Sequence, residues 1–257
     1  MYANYHTHTW RCKHATETER EYIEAAIAAG LTELGFSDHT PYPFPDGRTS
    51  FFRMAMDQSD GYFAAIRALR EEYRGKIDIH VGVEAEYYPD VFPALLSHLR
   101  AQGCEYMVLG QHYLFNEEPD NIVYSGDATD EEWRLRQYAD QVVAGLETGS
   151  VFYVAHPDLL HWTGDAATYE RHMRRLCEAA KKADVPLEVN LHGIMLSRHY
   201  PSPAFWRIAG EVGNRAILGM DAHGVKEFAM PELEEIGRKL LADAGLVPED
   251  RLPMKPV

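Results

Sequence analysis

Cysteine is scarce in this 257-residue chain. Cys12, Cys104 and Cys177 are an odd number with no close pair, which argues against a disulfide framework or a cysteine-built zinc site. Free thiols are expected. Basic residues are also few, 25 Lys and Arg against 40 Asp and Glu, for a formal charge of -15. Such a surface repels a phosphate backbone, so long nucleic acid is a poor partner. Long apolar runs are missing as well: no stretch approaches the roughly 18 apolar residues of a membrane span, and the opening MYANYHTHTWRCKH is too polar for a signal peptide. A cytoplasmic chain without a membrane partner is expected. No Ser/Gly linker, low-complexity tract or break in composition divides the sequence, so residues 1–257 are expected to form one domain.

What the chain does have is thirteen histidines beside its many carboxylates, the donor types that divalent transition metals prefer. It also has a rhythm. Short apolar or β-branched runs alternate with longer stretches whose apolar residues fall three and four apart. Strands are expected at Tyr2–Tyr5, Glu33–Phe36, Ile77–Val83, Tyr106–Leu109, Val151–Ala155, Leu187–Val189 and Ala216–Leu218. Helices are expected near Glu17–Ala29, Asp57–Arg74, Val91–Ala101, Asp130–Glu147, Thr168–Ala183, Ala204–Val212 and Pro231–Ala244. Thr16 with Glu19 reads as a capping box, and Gly30 and Gly103 sit where a left-handed helix cap is wanted.

Strand–helix alternation implies a parallel α/β fold, either an open doubly wound sheet or a barrel. The turn after the first strand reads His6-Thr7-His8-Thr9 rather than a glycine-rich phosphate loop. A seven-stranded (β/α)7 TIM-like barrel is therefore favoured, its active site at the C-terminal ends of the strands.

Those strand ends carry His6 and His8, Asp38 and His39, Glu84 and Glu86, His112, His156 and Asp158, Asn190 and His192, and Asp221 and His223. In a parallel fold they open on one face, so residues more than 200 positions apart converge. His6-x-His8 and Asp221-x-His223 reinforce this, because residues two apart on a strand point the same way and can share an ion. A single histidine is more often an ordinary polar residue, and His80, His98, His161, His172 and His199 are read so. His14 lies in the loop after the first strand, from which it can curl over the same face.

Together His6-Thr-His8-Thr, Cys12-Lys-His14-Ala, Ser37-Asp38-His39-Thr-Pro41, Gly82-Val-Glu84, Gly110-Gln-His112, Ala155-His156-Pro157 and Asp221-Ala-His223 resemble the ordered motifs of the PHP superfamily, named for polymerase and histidinol phosphatase. The Cys12-x-His14-Ala loop and the run from Glu188-Val-Asn190 to Tyr200-Pro201 look similar to its histidinol-phosphatase branch. The resemblance implies a distorted seven-stranded barrel holding three divalent ions. His6, His8, Glu84 and Asp221 would bind the first, Glu84, His112 and His156 the second, and His14, His39 and His223 the third. Glu84 would bridge, and Glu84, Asp221 and His223 are the implied catalytic residues. Gln111 departs from the pattern, since many relatives carry a small residue or a serine there.

Clustered cations suit phosphorus chemistry, because they activate water and neutralise the oxygens of the group under attack. Imidazole-rich ligation favours zinc, manganese or iron over calcium or magnesium, and activity should fall at acid pH as the histidines protonate. Arg53 and Arg198 are candidate grips for phosphate oxygens, with Arg48 a weaker one. Asn190 and His192 are candidates either to orient a ligand or to contact substrate, and Asp38 a candidate acceptor for an ion-bound imidazole. Tyr42, Phe44, Phe51 and Phe52 either stack on a substrate ring or pack their loop. The implied reaction is hydrolysis of a small phosphate monoester, L-histidinol phosphate in histidine biosynthesis. The rivals are a nucleotide or other small ester, an amidohydrolase (no expected strand end carries the lysine that class uses) and a non-catalytic metal-binding protein, which would have lost ligands.

Overall fold

The computed structural model describes residues 1–117 and 120–257. Its ladders are all parallel and form two sheets rather than one. Strands β1 (Ala3–Asn4), β2 (Glu33–Phe36) and β3 (Asp78–Val81) make the first sheet. Strands β4 (Val83–Ala85), β5 (Met107–Leu109), β6 (Tyr153–Val154), β7 (Leu187–Asn190), β8 (Ala216–Gly219) and β9 (Pro248–Glu249) make the second. Among the described residues nine strands replace the seven expected. One expected strand, Ile77–Val83, is divided at Gly82, where the chain passes from the β2 ladder to the β5 ladder. The extra β9 is a two-residue addition beside β8 that carries no periodic pattern. On the C-terminal side the sheets meet twice, through parallel bridges Thr7↔Ala222 and His39↔Glu84.

The helices α1 (Glu19–Ala28), α2 (Ser59–Glu72), α3 (Phe92–Ala101), α4 (Glu132–Glu147), α5 (Ala166–Lys182), α6 (Leu191–Met195), α7 (Pro203–Val212) and α8 (Pro231–Asp243) cover the strands. Local chemistry sets their ends. The capping box of α1 is Thr18 with Glu21, two residues beyond the expected pair. Asp165 caps α5 by accepting from Thr168 N at 2.8 Å, and prolines begin α7 and α8, where no intrahelical donor is needed. Gly30 and Gly103 hold positive φ after α1 and α3, as expected. The short α6 has no counterpart in the periodicity. It is started by Asn190, whose Oδ1 accepts from Gly193 N. No helix among the described residues is long and apolar enough to cross a membrane, and the three cysteines are free and buried.

With helices outside, the strands β2, β5, β7 and β8 are buried throughout, as parallel strands covered on both faces must be. A separate apolar cluster contains Tyr5, Tyr106, Val108, Phe152, Tyr153 and Ile217. Along one strand face the character then changes with period two: Tyr106 and Val108 lead to Gly110, and Ile217 leads to Gly219 and Asp221. The aromatic cluster thus floors a polar layer at the strand ends.

Gly82 is where the Tyr106 ring closes against the neighbouring backbone. A Cβ there would lie 2.6 Å from both the ring and the Tyr106 carbonyl. Gly82→Ala is expected to lower stability by about 2 kcal/mol or more through overpacking. Urea unfolding of the two proteins checks this, and an unchanged midpoint would contradict it.

Candidate metal centre

The polar layer is organised around one carboxylate. Glu84, on β4, is 1% exposed, and five imidazoles from four separate segments surround it. Its Oε1 lies 2.9 Å from His156 Nε2, 3.6 Å from His6 Nε2 and 3.7 Å from His112 Nε2. Its Oε2 lies 3.0 Å from His39 Nδ1 and 3.6 Å from His8 Nε2. Asp221 adds a second carboxylate, with Oδ1 2.9 Å from His8 Nε2 and 3.4 Å from His6 Nε2. His14 and His223 complete the group, their rings stacked at 4.7 Å, with His223 also 4.1 Å from the His8 ring. All nine residues expected from the strand ends and the first loop therefore meet. Room for Glu84 comes from Gly110, where a Cβ would stand 1.9 Å from Oε1.

The far sides of the rings are held by other acceptors. His6 Nδ1 meets Glu188 Oε1 at 2.7 Å, and His112 Nδ1 meets Glu86 Oε1 at 2.9 Å. His14 Nδ1 and His223 Nδ1 face the carbonyls of Cys12 and Asp221 at 2.8 and 2.9 Å. A proton fixed on Nδ1 leaves Nε2 as the lone-pair donor facing the centre. Within the cluster His6 Nε2, both His8 nitrogens, His39 Nδ1, His156 Nδ1, His223 Nε2 and Glu84 Oε2 are buried without a hydrogen-bond partner. Unpartnered buried donors and acceptors are costly. Here they form sets with ligand atoms within 4.8 Å of one another, including His8, His39 and His223; His6, His8 and Asp221; and His6, Glu84 and His156. This donor set fits divalent metal ions. His156 and Asp221 also hold positive φ, 29° and 52°, a backbone strain of the kind concentrated at functional sites.

Above the cluster opens a cavity of about 570 Å³, lined among others by His192, Arg198, Phe51, Phe52, Tyr113 and Tyr124. His192 and Arg198 thus stand where the sequence reading puts substrate contacts. Arg53 and Asn190 do not. Arg53 is 1% exposed, and its guanidinium is enclosed by Glu86, Glu117 and the Thr40 carbonyl. Asn190 spends its amide on Glu188 and Asp221, at 3.0 and 3.1 Å. Spacing gives the strand end of such residues but not which way a long or branched side chain is drawn. Arg48 pairs with Asp46 and the Asn116 carbonyl. Asp38 is 3.5 Å from His8 Nδ1, but its hydrogen bonds go to Thr9 and the His39 amide. Gln111 is buried between Tyr87 N and the Tyr113 carbonyl, away from the cavity. Tyr42 and Phe44 pack their loop, whereas Phe51 and Phe52 reach the cavity. The sequence reading gave Cys12 no role, yet its sulfur lies within reach of His14 and His223. Its spacing to His14 was the available signal. Glu188 lies one period of the strand pattern before the strand-end Asn190 and points the same way, which is the signal for its place behind His6.

The PHP domain family matches residues 4–192 of the chain. A probable histidinol-phosphatase of Deinococcus radiodurans is 30% identical over 242 residues, covering 90% of this chain and 92% of that protein. The histidinol-phosphatase of Bacillus subtilis is 32% identical over 116 residues, 42% of this chain and 43% of the relative. The crystal structure of histidinol phosphate phosphatase from Lactococcus lactis, complexed with zinc, L-histidinol and phosphate, superposes with a TM-score of 0.73. The match covers 96% of this chain and 95% of that one at 19% identity, a likeness of fold.

The charges of the cluster set its affinity for ions. Burial disfavours the charged form of Glu84, but His112, His39 and His6 outweigh it and hold the carboxyl well below its usual range. Burial drives His39 and His223 well below the usual imidazole value. His8 goes the other way: burial opposes its charge, yet Asp221 and Asp38 push it up to about 9. In the ion-free protein its protonated form contributes stability that is fully present below about pH 6.5 and is lost as the pH rises through about 9. A cation must displace that proton. Manganese uptake at pH 7 is therefore expected to release protons, read as a buffer-dependent heat in calorimetry. Apparent affinity should climb from pH 7 towards 9, and a flat profile over that window would contradict the assignment.

Proposed function

The chain belongs to the PHP domain family, on its histidinol-phosphatase-like branch, and from that premise we propose that it hydrolyses a small phosphate monoester, L-histidinol phosphate, to L-histidinol and phosphate. The observation that carries this reading is Glu84, with one oxygen facing His6, His112 and His156 and the other facing His8 and His39, on the floor of an open cavity. That division suits a carboxylate bridging two cations. The assignment is three ions: His6, His8, Glu84 and Asp221 at the first, Glu84, His112 and His156 at the second, and His14, His39 and His223 at the third. Zinc, manganese and iron all suit these donors. When bound, such ions activate water and withdraw charge from a phosphoryl group.

The protein's own side chains do the rest. Arg198 presents a guanidinium to the cavity, where it can grip two phosphate oxygens at once. Lys13 lies on the same wall, its ammonium held by the Ser50 carbonyl at 2.6 Å. Glu188, Glu86 and the Cys12 carbonyl keep the imidazoles of His6, His112 and His14 turned inward. His192, with Nδ1 3.3 Å from Glu227 Oε2, also lines the cavity. Phe51, Phe52, Tyr113, Tyr124 and Tyr200 give the cavity flat apolar walls, which suit a leaving group carrying a planar ring such as imidazole.

The frame belongs to the same proposal: residues 1–257 act as one cytoplasmic catalytic unit built on a distorted seven-stranded barrel. In that frame β3 and β4 are one strand and β9 is an addition. Its support is the stitching at the strand ends, where His8 N donates to the Ala222 carbonyl at 2.9 Å and Thr40 N to the Glu84 carbonyl at 2.9 Å.

Phosphate release from manganese- or zinc-loaded protein tests the function across histidinol phosphate, mononucleotides and sugar phosphates. Histidinol phosphate is expected to give a kcat/KM at least about tenfold above the others, the discrimination available to a pocket that fits one ring. Arg198→Ala is expected to raise KM by about tenfold or more. Preference for a nucleotide would replace the substrate assignment.

A further inference from the structure

Arg53 lies between β2 and α2 in the loop that supplies Phe51 and Phe52, yet it is buried and does not line the cavity above the cluster. A buried guanidinium is costly unless its donors are satisfied in good geometry, and each of these is directed. Nη2 binds Glu86 Oε2 at 2.9 Å and also Glu117, Nη1 binds the Thr40 carbonyl at 2.9 Å, and the group lies over the rings of Phe52 and Tyr42. Glu86 has one task for each oxygen. Oε2 takes Arg53, and Oε1 meets His112 Nδ1 at 2.9 Å. The other nitrogen of that ring, Nε2, faces Glu84 Oε1 at 3.7 Å. Thr40 follows His39, and its own N donates to the Glu84 carbonyl. Phe52 meets His39 edge to face at 5.1 Å. One planar group therefore grips the supports of two imidazoles that face opposite oxygens of Glu84.

We infer that Arg53 is a positioning residue of the metal centre: through Glu86 it fixes His112 as an Nε2 donor, and through Thr40 it fixes the segment carrying His39. The role needs a fork rather than a point charge, because one ammonium cannot satisfy Glu86, Glu117 and Thr40 in one plane. It rests on the preceding reading only in taking His39 and His112 as ion ligands, and not on the identity of the substrate.

Arg53→Lys, Arg53→Met and Glu86→Gln in the full chain test it, with three readouts. Manganese affinity is expected to fall by about 10- to 100-fold, at the ions of His112 and His39 in the Arg53 variants and at that of His112 in Glu86→Gln, with less ion bound per chain, the usual result of removing a ligand's support. The visible spectrum of cobalt-loaded protein should change with them. With saturating metal, kcat should fall while KM for the ester stays within about twofold. Arg53→Met combined with Glu86→Gln should lose no more than Arg53→Met alone, since Glu86 is one of the two supports that Arg53 holds. A raised KM with normal ion affinity and spectrum would make Arg53 a substrate contact and overturn the inference. A lower melting temperature of chelated protein with unchanged ion affinity would make it a structural ion pair, with the same result. If Arg53→Met does not fold, Arg53→Lys and Glu86→Gln still decide. If no phosphate ester is turned over, the functional reading fails while ion affinity continues to test Arg53.

Discussion

A carboxylate at the C-terminal end of a parallel fold, with both oxygens buried, is the constraint around which the rest of this structure is arranged. Isolated, Glu84 would be driven to protonate. Five imidazoles contributed by four strand ends prevent that, and the imidazoles bring a requirement of their own. Each must be turned to present a lone pair inwards, which calls for an acceptor behind it. Glu188, Glu86 and two main-chain carbonyls meet that requirement. The acceptors must be held in turn: Glu188 by Asn190 and the His156 amide, Glu86 by Arg53. The polar layer is thus a nested set of obligations spreading outward from one side chain.

Much of this was legible in the sequence because the geometry of parallel strands does the placing. Once a histidine or carboxylate is assigned to a strand's C-terminal end, its face follows without any knowledge of loops. The clustering of His6, His8, His39, Glu84, His112, His156, Asp221 and His223 follows that way, and that of His14 from its loop and the family pattern. What stayed hidden depended on side-chain reach. Arg53 looks from its position like a phosphate grip, but a long side chain can turn inward, and two buried glutamates draw it there. Asn190 is short enough to be consumed by its neighbours Glu188 and Asp221. Cys12 was dismissed by pairing arithmetic, which addresses disulfides and says nothing of a thiol brought beside His14 by a tight loop.

The frame was legible at the level of class and less so in detail. Periodicity gave parallel strands and covering helices, and it missed the break at Gly82, because a strand that changes partners keeps its hydrophobic pattern while its hydrogen bonds shift. The capping box moved from Thr16 to Thr18 for a similar reason. Two threonines lie two residues apart ahead of α1, each followed three residues later by a glutamate, and only backbone geometry distinguishes them. The tolerance of the design lies in these ends and its rigidity in the aromatic floor below the cluster, where Tyr5 packs edge-on against Phe152 at 5.3 Å.

The bridge between Thr7 and Ala222 joins the opening of the polypeptide to a segment made long afterwards. During synthesis the nascent chain displays His6 and His8 early, yet their partner Asp221 emerges only when most of the protein has left the ribosome. The cluster is therefore complete only late in maturation, and an ion held by all three would mark molecules whose distant segments have found each other.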